Sequence, residues 1–394
     1  MKEKTIEIVH FYEKDSNRIL SIAATLYLIV ALLSYCLLFK QSQSLINEIA
    51  VAGLDVIRKC AFLIFLISIV YNLWKKRLDW RLCAFFFLLS GSVTFFSKDS
   101  EPVKMFFLLT AFSILPFDFI LKKYYNVQRF ILLLVITLTA FGGIENILYD
   151  KDRMRFGLGF DWTTTAPILL LHILIIYNCI RQRKWTNSEL YLYILSIMTI
   201  YLFTDSRFIL LISLLFLGFA WLEEKQIFNF KQQWIGRTIS WLPLIFLVIS
   251  CLSFFFYNPN NGIWNSVNRL TSDRLSLGHD GFLKYGITWF GQSIHWVGYS
   301  FGSIGGSYNY IDNSYGRLLL ENGILNTLFY VGISVAGIFS LWKNNQSRKT
   351  ISFLCLLILG LIEPFYFNSL FNPFLIWGLK SVNDYLIRRG KQYD

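Results

Sequence analysis

The sequence predicts an all-α integral membrane protein with about twelve transmembrane helices, built as one polytopic domain over residues 1–394. Three observations carry this expectation. The 394 residues are 55% hydrophobic and 16% charged, whereas a soluble domain carries about 25% charged residues. The apolar residues gather into runs close to the length of about 20 residues that a helix needs to cross a bilayer. The basic residues fall unevenly between those runs.

In chain order, the first run, 19 to 39, follows a polar start of mixed charge, MKEKTIEIVHFYEKDSNR, which has no short apolar core with a small-residue cleavage site, so no signal peptide is expected to be removed. The second, 56 to 74, ends at Lys75-Lys76-Arg77, and the third covers 80 to 97. The fourth, 103 to 121, ends at Lys122-Lys123, and the fifth, 130 to 149, opens after Arg129. The sixth, 163 to 180, runs into Arg181-Gln-Arg183-Lys184. The seventh and eighth, 188 to 204 and 207 to 222, are separated only by Asp205 and Ser206. The ninth, 238 to 256, leads into the largest hydrophilic stretch, 257–313, and the tenth, 316 to 342, leaves it. The eleventh covers 350 to 367, and the twelfth, 371 to 387, is interrupted by Lys380 and Asp384.

When the connections are assigned alternately to two sides, the side holding both termini collects 24 of the 37 basic residues. Basic loops stay in the cytoplasm, so both termini are expected inside and the 257–313 loop outside. The charge of +12 then describes membrane orientation, and no nucleic-acid partner is expected. No inner connection is long enough for a catalytic domain, and no GxxxxGK[ST] phosphate loop occurs. All six cysteines lie in apolar stretches without CxxC spacing, and the histidines lack HExxH spacing. No disulfide framework, metal or cofactor is therefore expected.

Chemistry is expected on the outer side, where arginines ought to be scarce. Arg153 and Arg155 occur in DKDRMRFGLGFD, Arg207 in TDSRF, Arg269 and Arg274 in NRLTSDRLSLGHDG, and Arg317 in DNSYGRLLLENG. A guanidinium fork binds phosphate oxygens bidentately, which suits a pyrophosphate. The alternative stays open that each arginine pairs locally with Asp152, Asp205, Asp273 or Glu321, or snorkels to headgroups. For Asp205 and Ser206 the plain reading is an N-cap. Asn313, Arg317 and Glu321 are spaced i, i+4 and i+8, so they share one helix face; that face either lines a cavity or is a capped start with one ion pair. His279 and His295 are candidates to take a proton from a sugar hydroxyl, with His279 the better placed, five residues after Arg274. His172, among leucines, reads as a buried structural histidine. The loop's Trp264, Trp289, Trp296, Tyr285, Tyr299, Tyr308 and Tyr310 suit either interface anchoring or sugar stacking, and Phe282 to Trp296 is expected to form a helix lying on the membrane.

In these features the chain resembles the Wzy-type O-antigen and capsular-polysaccharide polymerases and, more loosely, the O-antigen ligases. The likeness covers most of the chain in layout. It is carried locally by RFGLGF at Arg155 to Phe160, DSR at Asp205 to Arg207, and DRLSLG followed by DNSYGRLLLENGI at Asp312 to Ile324. Many members follow the GF element with an asparagine-containing turn, whereas Asp161-Trp-Thr-Thr follows here.

The resemblance implies a multispan glycosyltransferase of the GT-C type in the bacterial plasma membrane. Such an enzyme joins undecaprenyl-pyrophosphate-linked oligosaccharide repeat units and releases undecaprenyl pyrophosphate, with membrane lipids, a flippase and a chain-length regulator as partners. On this reading Arg155, Arg207, Arg274 and Arg317 hold pyrophosphates, Asn313 and Glu321 contact substrate, and His279 or Asp312 deprotonates the acceptor hydroxyl. Two rivals stay open. A ligase passing the glycan to another acceptor would use nearly the same residues, and a lipid-linked glycan flippase would need midplane charges and short loops on both sides.

Overall fold

A computed structural model describes residues 2–40, 45–150, 153–225, 233–298, 308–390 and 392. Among the described residues there are fifteen α-helices and one two-stranded hairpin. The helices are α1 (Lys2–Leu33), α2 (Leu45–Trp74), α3 (Trp80–Ser97), α4 (Glu101–Ser113), α5 (Phe117–Ala140), α6 (Thr165–Ile180), α7 (Asn187–Thr204), α8 (Arg207–Glu224), α9 (Gln233–Ser240), α10 (Leu242–Phe255), α11 (Gly262–Leu270), α12 (Arg274–Tyr285), α13 (Ser314–Lys343), α14 (Ser347–Leu359) and α15 (Phe374–Gly390). The hairpin pairs β1 (Leu148–Asp150) with β2 (Arg155–Phe156).

Every apolar run overlaps a helix, but length and apolarity together separate them. Two helices, Trp80–Ser97 and Ser314–Lys343, are long and apolar enough by themselves to cross a membrane; Asn17–Leu33, Thr165–Ile180 and Leu242–Phe255 are apolar but shorter. The expected dozen is therefore not present as a dozen long apolar helices among the described residues. The fourth run breaks because Pro116 cannot continue a helix: α4 stops after 13 residues, and Lys122, Lys123 and Arg129 lie inside α5 rather than in a loop. The eleventh run stops at Leu359, and residues 360–373 form an irregular segment containing Pro364 and Pro373. The helix expected over Phe282 to Trp296 ends at Tyr285, where Gly286 takes a φ of 66°. Lys380, which marked the twelfth run as weak, donates to the Ser113 carbonyl at 2.8 Å and so satisfies an open end of α4.

The helix α13 is the hub, packing against α15, α10, α9, α3 and α14. It meets α15 at backbone distance: a Cβ on Gly378 would lie 2.3 Å from the Ile333 carbonyl oxygen, and one on Gly337 would lie 3.1 Å from the Gly378 Cα. Small residues at a crossing let two helices approach this closely. On the outward faces, by contrast, Leu63, Ile67 and Val70 of α2, Leu88 and Phe95 of α3, Leu192, Leu195 and Leu202 of α7, and Val248 and Leu252 of α10 are exposed.

The ladder of α13 is interrupted at Gly323 (φ 76°, ψ 177°). The N–H groups of Ile324 and Leu325 donate instead to the carbonyls of Thr288 (2.9 Å) and Trp289 (3.2 Å), and the Glu321 carbonyl accepts from the Gln292 N–H (3.0 Å). A Cβ at position 323 would lie 2.4 Å from the Gly291 nitrogen. Gly323→Ala is therefore expected to combine this clash with a left-handed backbone cost of about 1–3 kcal/mol and to lower the unfolding temperature of the purified protein followed by tryptophan fluorescence. Gly332→Ala, inside the same helix where a Cβ meets nothing within 4 Å, is expected not to lower it, since alanine is the better helix former.

Candidate functional site

An open cavity of about 730 Å³ lies at one end of the bundle. Its wall draws on the ends of many elements: Tyr35 beyond α1, Arg58 of α2, Glu101 and Lys104 at the start of α4, Asp161 and Trp162 after the hairpin, Trp296 and Tyr310 of the long loop, Asp312, Arg317 and Glu321 at the start of α13, and Glu363 of the irregular segment.

The start of α13 is locked in place by its own capping groups. Asn313 is the N-cap: its side-chain oxygen accepts from the Gly316 N–H at 2.8 Å, and its side-chain nitrogen donates to Ser250 Oγ and the Leu361 carbonyl, each at 3.0 Å. The Ser314 N–H donates to the Gly360 carbonyl (2.8 Å), the Ser314 hydroxyl donates to the Glu363 carbonyl, and the Tyr366 N–H donates to that same hydroxyl (3.1 Å). The segment carrying Glu363 is thus stitched to the helix start carrying Asp312 and Arg317. Elsewhere it is held by the Tyr124 hydroxyl on the Ser369 carbonyl and by Gln128 on the Leu370 carbonyl. The RFGLGF loop is tied to the end of α1 by the Asp161 N–H on the Tyr35 carbonyl (3.0 Å) and by Lys40 on the Asp161 carboxylate (2.9 Å).

Two charge clusters result. In the first, Arg274 at the start of α12 lies 3.1 Å from the Asp312 carboxylate and 3.8 Å from that of Glu363, with its guanidinium over the Phe208 ring at 5.3 Å. Burial pushes the Asp312 carboxyl up from its ordinary range, opposed by Arg274, Arg317 and Arg155. In the second, Arg317 pairs with Glu321 at 2.9 Å and lies over the Tyr310 ring at 4.5 Å and the Trp296 ring at 5.5 Å. The Trp296 indole N–H donates to the same Glu321 carboxylate.

Among the expected site residues, Asp312, Arg317 and Glu321 line the cavity and Arg274 contacts the lining residues Asp312 and Glu363; the Asn313 side chain does not line it and is spent on Gly316, Ser250 and Leu361. Arg155 is half-buried close by, donating to the Thr204 carbonyl (3.0 Å) and lying over Trp162 at 6.0 Å. Arg207 does not line the cavity; its side chain is 70% exposed and paired with Asp205 at 3.1 Å. Asp205 also takes Arg153 at 2.6 Å; burial tends to raise its carboxyl, but hydrogen bonds from Arg207 and Arg153 prevail and hold it below the usual range. Neither Asp205 nor Ser206 caps α8 through its side chain. His279 is outside the lining, its Nδ1 2.7 Å from the Phe254 carbonyl and its ring against Tyr257. His295 does line the cavity, and His172 is buried against Phe371. Asp152 and Tyr299 lie outside the described residues.

No protein-family model, curated protein or solved structure matches this chain.

Sequence reasoning passed over Glu363, although a lone carboxylate in the apolar stretch LGLIEPFYF was a usable signal. Trp296 and Tyr310 were placed among the loop aromatics, and nothing in their spacing distinguished them as partners of Arg317. Removing the guanidinium that holds two carboxylates leaves both without their ion pair, so Arg274→Ala is expected to cost about 3–5 kcal/mol and lower the unfolding temperature. Arg207→Ala, at an exposed pair, is expected to leave that temperature unchanged.

Proposed function

We propose that this chain is a polymerase of lipid-linked polysaccharide repeat units, acting at the outer face of a bacterial plasma membrane that it crosses about twelve times with both termini in the cytoplasm. One observation carries the reading. The segments that build the cavity, around Tyr35, Glu101, Asp161, His295 to Gly298, Tyr308 to Asp312, and Glu363, all belong to the side that the distribution of Lys and Arg assigns outside. Two further features support it. Exposed leucine, isoleucine and phenylalanine on the outward helix faces suit contact with lipid. Irregular backbone such as 360–373 is tolerated at membrane depth only where it is buried in protein or lines a water-filled cavity.

The chemistry follows from the side chains. Transfer of a glycan from a polyprenyl diphosphate releases a diphosphate, whose charge Arg274, Arg317 and Arg155 would stabilise as it develops. Trp296, Tyr310 and Trp162 offer ring faces for sugars. A base is needed for the acceptor hydroxyl. Asp312 faces the cavity and takes that role here in preference to His279, whose Nδ1 is engaged with the Phe254 carbonyl.

Purified protein incubated with an undecaprenyl-diphosphate-linked repeat unit is expected to yield a ladder of products on a gel. A single addition to an unrelated acceptor would identify a ligase, and no product would reject the reading. Asp312→Asn is expected to slow ladder growth by about a hundredfold or more. Arg207→Ala, outside the lining, is expected to act more weakly than Arg317→Ala in the same assay. A cysteine placed at the exposed position Asn260, in a background free of the six native cysteines, is expected to react with an impermeant thiol reagent added to intact cells; protection there with labelling only after lysis would put the loop in the cytosol.

A further inference from the structure

Four of the arginines at the cavity's end of the molecule already have a carboxylate, whereas Arg155 donates to the Thr204 carbonyl and Arg58 lines the cavity itself. Arg153 and Arg207 share Asp205, Arg317 has Glu321, and Arg274 has Asp312 and Glu363. An anion that engages Arg274 therefore has to displace a carboxylate. The arrangement around Arg274 makes this a matter of order as well as charge. Asp312 and Glu363 line the cavity, whereas Arg274 does not; the two acids stand between the guanidinium and the open space. Phe208 covers one face of the fork, and the Glu363 side chain is 5% exposed, fastened through its backbone to Ser314.

We infer that a diphosphate entering the cavity takes Arg274 from Asp312 and Glu363, so that donor binding itself uncovers the base. The inference rests on the proposed polymerase reading and deepens it. At rest the ion pair with Arg274 opposes the upward push of burial on Asp312, so the carboxylate is a weaker proton acceptor than it would be without that partner. When the diphosphate oxygens take over the fork, bidentately and with more charge than a carboxylate, Asp312 loses that partner and becomes more basic. The acceptor hydroxyl oxygen then bonds to the anomeric carbon as the anomeric C–O bond to phosphate breaks. The bonding pair leaves on the diphosphate, and the hydroxyl proton passes to Asp312. Glu363 is the second acid displaced, a positioning residue that acts through Arg274. An enzyme built this way keeps its base masked when no donor is present.

The test is binding of inorganic pyrophosphate to the purified full-length protein, measured by calorimetry. Competition between acids and anion requires that removing either acid's charge tighten binding. Asp312→Asn and Glu363→Gln are each expected to lower the Kd by about tenfold, equivalent to about 1.4 kcal/mol, while Arg274→Gln weakens it. Asp384→Asn, which removes a negative charge on α15 away from the cavity, is expected to leave the Kd unchanged. A Kd unchanged or raised in both Asp312→Asn and Glu363→Gln overturns the inference, as does absence of pyrophosphate binding in wild type and both variants. The two acid variants are independent, so misfolding of one leaves the other decisive. Tightened pyrophosphate binding without any polymer ladder would retain the competition and reject the polymerase reading alone.

Discussion

The unmet hydrogen-bonding groups of α13 organise the site. A helix leaves its first N–H groups without partners inside itself, and a break within it frees more. Here the first set is met by the Asn313 side chain, with the Gly360 to Tyr366 segment fastened alongside through Ser314; the set freed at Gly323 is met by the backbone of Thr288 to Gln292. Two irregular stretches, distant in sequence, are thereby held on one helix about two turns apart. Leaving such groups unpaired would cost about 1–3 kcal/mol each, so the stretches have little freedom to leave. The cavity lies between them because they are anchored there.

The same economy governs the charges. A buried carboxylate or guanidinium is costly unless paired, and Arg153, Arg207, Arg274 and Arg317 each contact a carboxylate, with aromatic rings against several arginines of the region: Phe208 over Arg274, Trp296 and Tyr310 over Arg317, Trp162 near Arg155. Local ion pairing, one of the two readings that the sequence left open for the arginines, thus holds for Arg153, Arg207, Arg274 and Arg317. It does not oppose a ligand role, since pairs at a cavity wall can be exchanged where pairs in a closed core cannot.

The sequence was most legible where periodic apolarity or a short-range rule decides the outcome. Each apolar run overlaps a helix, and the Asn313 cap with the Arg317 to Glu321 pair follows directly from i, i+4 spacing. It was least legible where a run's length hid a break. The stretch 350 to 367 reads as continuous hydrocarbon, yet Gly360 and Pro364 end its helix and turn Glu363 inward. The run 103 to 121 likewise conceals the turn at Pro116, and its open end is satisfied by Lys380, 267 residues away, a partner that no local rule can supply. His279 was chosen by its nearness in sequence to Arg274. On a helix, however, five residues turn a side chain well away from the starting face, and its ring meets Tyr257 and the Phe254 carbonyl instead.

The interruption at Gly323 divides α13 into two pieces with different allegiances. The longer inner piece carries Gly337 and is pressed backbone to backbone onto α15, whereas the short outer piece carrying Arg317 and Glu321 is fastened to the loop and to the 360–366 segment. A continuous rod would pass any tilt of the inner bundle straight to those two side chains. Split as it is, the helix lets the turns that carry Arg317 and Glu321 stay with the cavity wall while the rest answers to its neighbours, so the placing of that charge pair and the seating of the bundle can be altered separately.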